Sequence, residues 1–203
     1  MRVVYASSAA VWGPPEAYEH RALGEQDLPM PSTHYGVFKH GNEQNARVFY
    51  ESDGVSSIGL RPWTVYGAGR DTGLTAGPTL AIKSVVMERS FEIGITGSID
   101  LQYAGDVGET FVTCLLAPLE GAHVFNLAGD VVTIEDLISR LDRLRPGAAR
   151  LITAAGPQVP VACRLDNSRL RCLVPGIPKT SLEDGIGRTL EVFERLKAEG
   201  KLD

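Results

Sequence analysis

Arg2-Val3-Val4-Tyr5-Ala6-Ser7-Ser8 is a short apolar run, rich in β-branched and aromatic residues, that ends in two serines. A run of this kind reads as a strand buried on both faces of a parallel sheet. Gly13-Pro14-Pro15 breaks the chain, and a polar loop leads to Pro29-Met30-Pro31-Ser32. Ser32 or Thr33 can cap a helix from about His34 to Ser52, which Asp53-Gly54 closes. Val55 to Leu60 reads as the next strand. Strand, helix and strand in this order predict a parallel α/β unit with a right-handed crossover.

Beyond this unit, Arg61-Pro62 ends the strand and a glycine-rich loop runs from Tyr66 to Gly77. A helix is expected over Leu80 to Arg89, and short strands over Phe91 to Thr96 and Ile99 to Tyr103. Asp106 can cap a helix that reaches Leu116, and Val124 to Leu127 reads as a strand. Thr133, with Glu135 and Asp136 in the first turn, starts a helix that stops before Pro146-Gly147. Leu151 to Ala154 is a strand, and Asp166 or Asn167 can cap a short helix. Thr180-Ser181 precedes an amphipathic helix from about Leu182 to Glu199. The composition shift near Arg70 divides the chain into residues 1–68, a partial sheet domain, and residues 69–203, mainly a smaller lobe with returning strands.

The 203 residues suit one domain or a little more, and 43% hydrophobic residues are enough for a core. A net charge of -5 argues against nucleic acid as a partner. Cys114, Cys163 and Cys172 lack metal-ligand spacing and read as reduced thiols of a cytoplasmic protein. His20, His34, His40 and His123 are spaced without a metal pattern, so no metal is expected. No apolar run reaches the length of a membrane span, and the N-terminal apolar stretch is too short for a signal peptide.

Tyr35-Gly36-Val37-Phe38-Lys39 places a phenol and an ammonium at i and i+4, on one helix face. A cation beside a phenol favours its ionised form, and a tyrosine so placed can serve as acid or base near neutral pH. A strand-end serine can hydrogen-bond the substrate oxygen that gains or loses the proton. Most Tyr-x-x-x-Lys spacings taken alone are solvated helix faces; the surrounding landmarks give this one its meaning.

Val4-Tyr5-Ala6-Ser7-Ser8-Ala9-Ala10-Val11-Trp12-Gly13 resembles the strand and serine motif of the extended short-chain dehydrogenases, the NAD-dependent epimerase/dehydratase family. Tyr35 and Lys39 stand at the family's distance after it, with Glu43 four residues on. Leu60-Arg61-Pro62-Trp63-Thr64-Val65-Tyr66-Gly67 resembles the family's L-R-P-x-x-V-Y-G turn. Tyr103-Ala104-Gly105-Asp106-Val107, Val124-Phe125-Asn126-Leu127-Ala128 and the stretch from Thr180 to Gly185 follow in the family's order.

The resemblance implies an α/β fold: the C-terminal part of a Rossmann-type doubly wound parallel sheet with a smaller α/β substrate-binding lobe. It implies NAD or NADP as cofactor and a sugar or nucleotide sugar as substrate, with oxidoreductase, epimerase or dehydratase as the outcome. Tyr35 would be the acid/base. Lys39 would assist it and bind the nicotinamide ribose. Ser8 would contact substrate; Ser7 beside it reads first as structural and otherwise stands on the cofactor side. Pro62 and Val65 would line the nicotinamide pocket. Arg70 would clamp a substrate carboxylate or phosphate, or else is a surface loop arginine. Asp106 reads as a helix cap, Asn126 as a strand-end hydrogen-bonder, and Glu43 as an i,i+4 partner of Lys39. Family dimers pack the Tyr/Lys helix on a partner, so a homodimer is one arrangement allowed. The family's G-x-x-G-x-x-G turn, which holds the dinucleotide pyrophosphate at a helix N-terminus, is absent from the 203 residues. The expectation is therefore a chain without the first half of the nucleotide-binding domain, and the alternative is a catalytically silent fragment.

Overall fold

The computed structural model describes residues 2–202. The strands are β1 (Arg2–Ala6), β2 (Ser56–Arg61), β3 (Thr64–Tyr66), β4 (Phe91–Ile93), β5 (Ser98–Tyr103), β6 (Ala122–Asn126), β7 (Asp130–Thr133) and β8 (Ile152–Ala154). The α-helices are α1 (His34–Asp53), α2 (Gly77–Val86), α3 (Ala104–Leu116), α4 (Ile134–Leu144), α5 (Ser168–Leu173) and α6 (Leu182–Ala198). These elements cluster into two compact units. The first runs through Trp63 and takes in Asp106–Gly129 and Pro160–Lys179. The second holds Thr64–Gly105, Asp130–Val159 and the residues from Thr180 on.

The first unit is built on a parallel sheet in the order β1-β2-β6. Tyr5 lies opposite Gly59, and Leu60 opposite Phe125. Ile58, Leu60 and Phe125 pack with Cys114 of α3 and Leu170 of α5 into an apolar core, against which Val4 is partly buried. Fully burying a side chain of this size stabilises by about 1.5–3 kcal/mol. Burial pushes the Cys114 thiol up to about 11. Helix α1 begins where Thr33 Oγ1 accepts from the Gly36 amide, so Thr33 is the cap of the two candidates. It ends at Gly54, whose left-handed conformation (φ 67°) lets its amide reach the Phe49 and Tyr50 carbonyls. Of α1, only Gly36 and Glu43 are buried.

In the second unit β5 pairs in parallel with β3 and antiparallel with β7, while β4 pairs in parallel with β8. Ser181 Oγ accepts from the Asp184 amide and caps α6, with Glu183 and Asp184 in the first turn and Arg195 and Lys197 in the last. Both charge placements complement the helix dipole. Gly185 of α6 is required by a close approach: a Cβ there would stand 2.0 Å from Tyr66 Oη.

Several expected boundaries shift. Asp106 sits inside the first turn of α3, where its charge suits the helix N-terminus, and does not cap it. Helix α2 starts at Gly77 because Pro78 fits a first helical turn. The strand expected to reach Thr96 stops at Ile93, and Thr96 makes an isolated bridge to Gln158. Asn167 holds the cap position of α5 without a side-chain bond, while Asp166 Oδ1 accepts from the Ser168 amide. Among the described residues no helix is long and apolar enough to cross a membrane.

Strand β1 pairs with β2 alone among the described residues, which leaves it at the sheet edge, with Val3 exposed. Such an edge is a template for pairing with another chain. The 203-residue chain is therefore expected to self-associate with rising concentration in sedimentation velocity, and Val3→Lys to reduce that association. A wild-type chain monomeric throughout the range would contradict this reading of the edge.

Candidate active site

The end of β1 and the start of α1 meet in the first unit. Ser7 is buried, and its hydroxyl donates to Glu43 Oε1 at 2.5 Å. Ser8 caps a 3-10 turn over Ala9–Val11, its Oγ accepting from the Ala10 amide at 3.1 Å. The Ala9 amide donates to the Pro62 carbonyl at 2.9 Å. Gly36 lets the first turn of α1 lie on this segment, since a Cβ there would stand 2.0 Å from the Ala10 carbonyl oxygen. Tyr35, next to that contact, is 56% exposed. Lys39 Nζ stands 5.5 Å from the centre of the Tyr35 ring and donates to the Ala6 carbonyl at 2.7 Å. The phenol, the ammonium and the serine-bearing strand end are thus neighbours.

Beneath them lies a buried ion pair. Arg61 Nε donates to Glu43 Oε1 at 2.8 Å and Nη2 to Oε2 at 2.7 Å, and both residues are only 4% exposed. His40 Nδ1 is 3.4 Å from Oε2. The guanidinium carbon of Arg61 lies 4.6 Å from the centre of the Trp12 ring. Trp12 Nε1 donates to Asn126 Oδ1, and Asn126 Nδ2 donates to the Leu23 and Asp166 carbonyls. Asn126 is thus the strand-end hydrogen-bonder its sequence context suggested. Glu43 is not the expected i,i+4 partner of Lys39: it pairs with Arg61, while Lys39 turns to Ala6. A buried carboxylate needs a matched cation, and the planar guanidinium supplies two parallel bonds where an ammonium supplies one point charge. In the sequence, Arg61 marks only the end of a strand and Trp12 only one position of the serine motif. The available signal was an arginine directly after Ile58-Gly59-Leu60 at the end of a strand.

Pro62 is half-buried in the first unit and contributes its carbonyl to Ala9. Val65 and Arg70 belong to the second unit. Val65 is half-buried in β3, and Arg70 folds onto its own loop, donating to the Thr72 carbonyl at 2.5 Å. Among the described residues no cluster of three or more His, Cys, Asp or Glu could hold a metal.

The family model described as the NAD dependent epimerase/dehydratase family matches residues 1–128. The chain belongs to that family. Among solved structures it is similar to MoeE5 in complex with UDP-glucuronic acid and NAD, at 25% identity and a TM-score of 0.79, covering 97% of this chain and 65% of that one. It is also similar to UDP-glucuronic acid 4-epimerase from Bacillus cereus in complex with UDP-glucuronic acid and NAD (24% identity, TM-score 0.78, 96% of this chain and 62% of that one). The partial consensus L-threonine 3-dehydrogenase matches at 17% identity with a TM-score of 0.84, over 96% of this chain and 65% of that one. These last two show a shared fold, the Rossmann-type α/β fold of the family. An uncharacterized protein of Methanocaldococcus jannaschii is 26% identical over 202 residues, 95% of this chain and 59% of its own length. The chain thus spans about three fifths of that curated relative.

For an epimerase/dehydratase chain, the residues fit one end of a nicotinamide dinucleotide. An ammonium has three donors, and Lys39 gives one to Ala6. Tyr35 offers an exposed hydroxyl beside it. These groups suit a ribose. The pyrophosphate end has no counterpart, because the glycine turn is not in the 203 residues.

Removing one partner of a buried ion pair costs about 3–5 kcal/mol. Glu43→Gln is therefore expected to lower urea-unfolding stability by that order, and Ser7→Ala by about 1 kcal/mol. A Glu43→Gln loss below that of Ser7→Ala would show that the pair does not bind the segments together. Tyr5 gives a second check. Burial first, then the Glu43 carboxylate, pushes its phenol up to about 12, with Arg61 opposing. Above pH 10.0 the unfolded chain releases this proton while the folded chain keeps it. Stability should fall as pH rises from there toward about 12. Tyr5→Phe should flatten that part of the profile in urea melts.

Proposed function

We propose that this chain supplies the proton-handling part of an NAD(P)-dependent epimerase, dehydratase or dehydrogenase acting on a sugar or nucleotide sugar. The observation that carries the reading is the Tyr35–Lys39 pair held beside the Ser8 strand end. Tyr35 takes the proton from a substrate hydroxyl and returns one to a carbonyl oxygen. Lys39 holds its ammonium 5.5 Å from the centre of the phenol ring, with donors left for a ligand beyond the one given to Ala6. Ser8 Oγ already accepts from Ala10, so its O–H is directed to donate, and a substrate oxygen is the natural acceptor. When bound, a nicotinamide dinucleotide supplies the hydride chemistry. Arg70 donates to the Thr72 carbonyl within its own loop of the second unit and stays outside this scheme. Ser7, turned to Glu43, holds the strand end in this scheme.

The neighbours seen with UDP-glucuronic acid make UDP-hexuronates the first substrates to assay. With NAD(P) and a panel of nucleotide sugars, Tyr35→Phe is expected to lower turnover about 100- to 10,000-fold with an unchanged circular dichroism spectrum. Full activity in that variant would remove Tyr35 from the mechanism.

A second reading rests on the missing glycine turn: the 203 residues alone form a silent unit that binds NAD weakly or not at all. Calorimetric titration of the purified chain with NAD should give little heat. Micromolar affinity would refute it.

A further inference from the structure

Behind the Glu43–Arg61 pair, beside the outer edge of β6 and between α1 and α5, lies a cavity of about 390 Å³. That size falls within the range of small-ligand sites. Its buried polar groups without a hydrogen-bond partner are both donors: Arg61 Nη1 and the Tyr5 hydroxyl. Arg61 spends Nε and Nη2 on Glu43, which leaves Nη1. Tyr5 reaches the cavity because Gly59 has no side chain; a Cβ there would stand 2.6 Å from Tyr5 Oη. A glycine inside a strand weakens it and marks a close approach, and here the approaching group is an unpartnered phenol. Its proton stays on at neutral pH, since burial holds the phenol at about 12.

The rest of the lining fits the same chemistry. Arg47, Arg169, His40 and His123 stand around the opening. Two carboxylates also line it, and both are engaged: Glu43 with Arg61 and Ser7, and Glu25 with the Asn126 amide. Arg47 is paired with Glu51 on the surface. Arg169 packs over the Phe125 ring with its carboxylate-binding edge uncommitted to any acid: its bonds go to the Val124 carbonyl and His123 Nδ1. Leaving buried donors unmade is costly, and an acceptor with negative charge answers both donors and the nearby guanidinium.

We propose that this cavity binds a small oxyanion of the phosphate or carboxylate class, held by the Tyr5 hydroxyl, Arg61 Nη1 and the Arg169 guanidinium. The site is separate from the Tyr35–Lys39 pair, and its test needs no turnover. Equilibrium dialysis of the 203-residue chain against radiolabelled phosphate, with a parallel acetate arm at the same ionic strength, should show saturable uptake of one anion per chain. The arm that saturates at lower concentration identifies the class. Tyr5→Phe and Arg169→Gln should each weaken uptake about tenfold, the worth of one hydrogen bond to a charged group. Without anion, Tyr5→Phe should be as stable as wild type or more so, because an unpartnered buried donor is gone. Should that variant fail to fold, Arg169→Gln at the half-buried rim carries the test. No saturable uptake in either arm, or uptake unchanged by Arg169→Gln, overturns the proposal and leaves water as the partner of the two donors.

Discussion

The first unit depends on one buried ion pair. Glu43 and Arg61 give up nearly all contact with water, and their two parallel bonds, the Ser7 hydroxyl, His40 and the Trp12 ring compensate. The pair joins three segments far apart in sequence: the end of β1, the middle of α1 and the end of β2. Each carries a candidate site residue close by. Ser8 follows Ser7, Lys39 precedes Glu43 by one turn, and Pro62 follows Arg61. Helix α1 has little other hold on the sheet. Its apolar side chains Val37, Phe38 and Phe49 are exposed, so a polar contact and the close seat of Gly36 fix where Tyr35 and Lys39 stand.

The second unit is held differently. Tyr66 and Tyr103 pack at a tilted 5.9 Å, and Gly185 of α6 fits against Tyr66. Lys197 donates to the Val86 carbonyl and ties α6 to the end of α2. Its ion pairs Arg140–Glu183 and Arg145–Glu194 are partly exposed. Pairs of that kind contribute about 0–1 kcal/mol each. Packing and capping set this unit, whereas the other adds a desolvated charge pair to its apolar core.

That contrast explains what the sequence made legible. β1 announces itself as an apolar run, yet the expected burial on both faces is not met: it lies at the sheet edge with Val3 exposed, and it is the central β2 that is covered on both faces. The caps at Thr33, Thr133 and Ser181 are local chemistry and were readable. β3 and β7 were not, since Thr64–Tyr66 and Asp130–Thr133 are too short to show a period and sit in turn-like contexts. Tyr35, Lys39 and Ser8 could be singled out from spacing and ordered landmarks. The partner of Glu43 could not. Local spacing offers Lys39, and only the folded sheet brings Arg61 to it. Arg70 shows the same limit in reverse, because its bond to Thr72 lies within its own loop yet depends on that loop's shape.

Trp12 has a further use. The chain has two tryptophans, Trp12 and Trp63, and both belong to the first unit. Trp12 is fully buried, bonded through its indole nitrogen to Asn126 and covered by the Arg61 guanidinium. Trp63 donates to the Ala162 carbonyl. Tryptophan emission therefore reports on the first unit without contribution from the second, while the amide signal of circular dichroism reports on both. The two units can be followed separately in one unlabelled chain, and an indole already sits against the ion pair that organises the site.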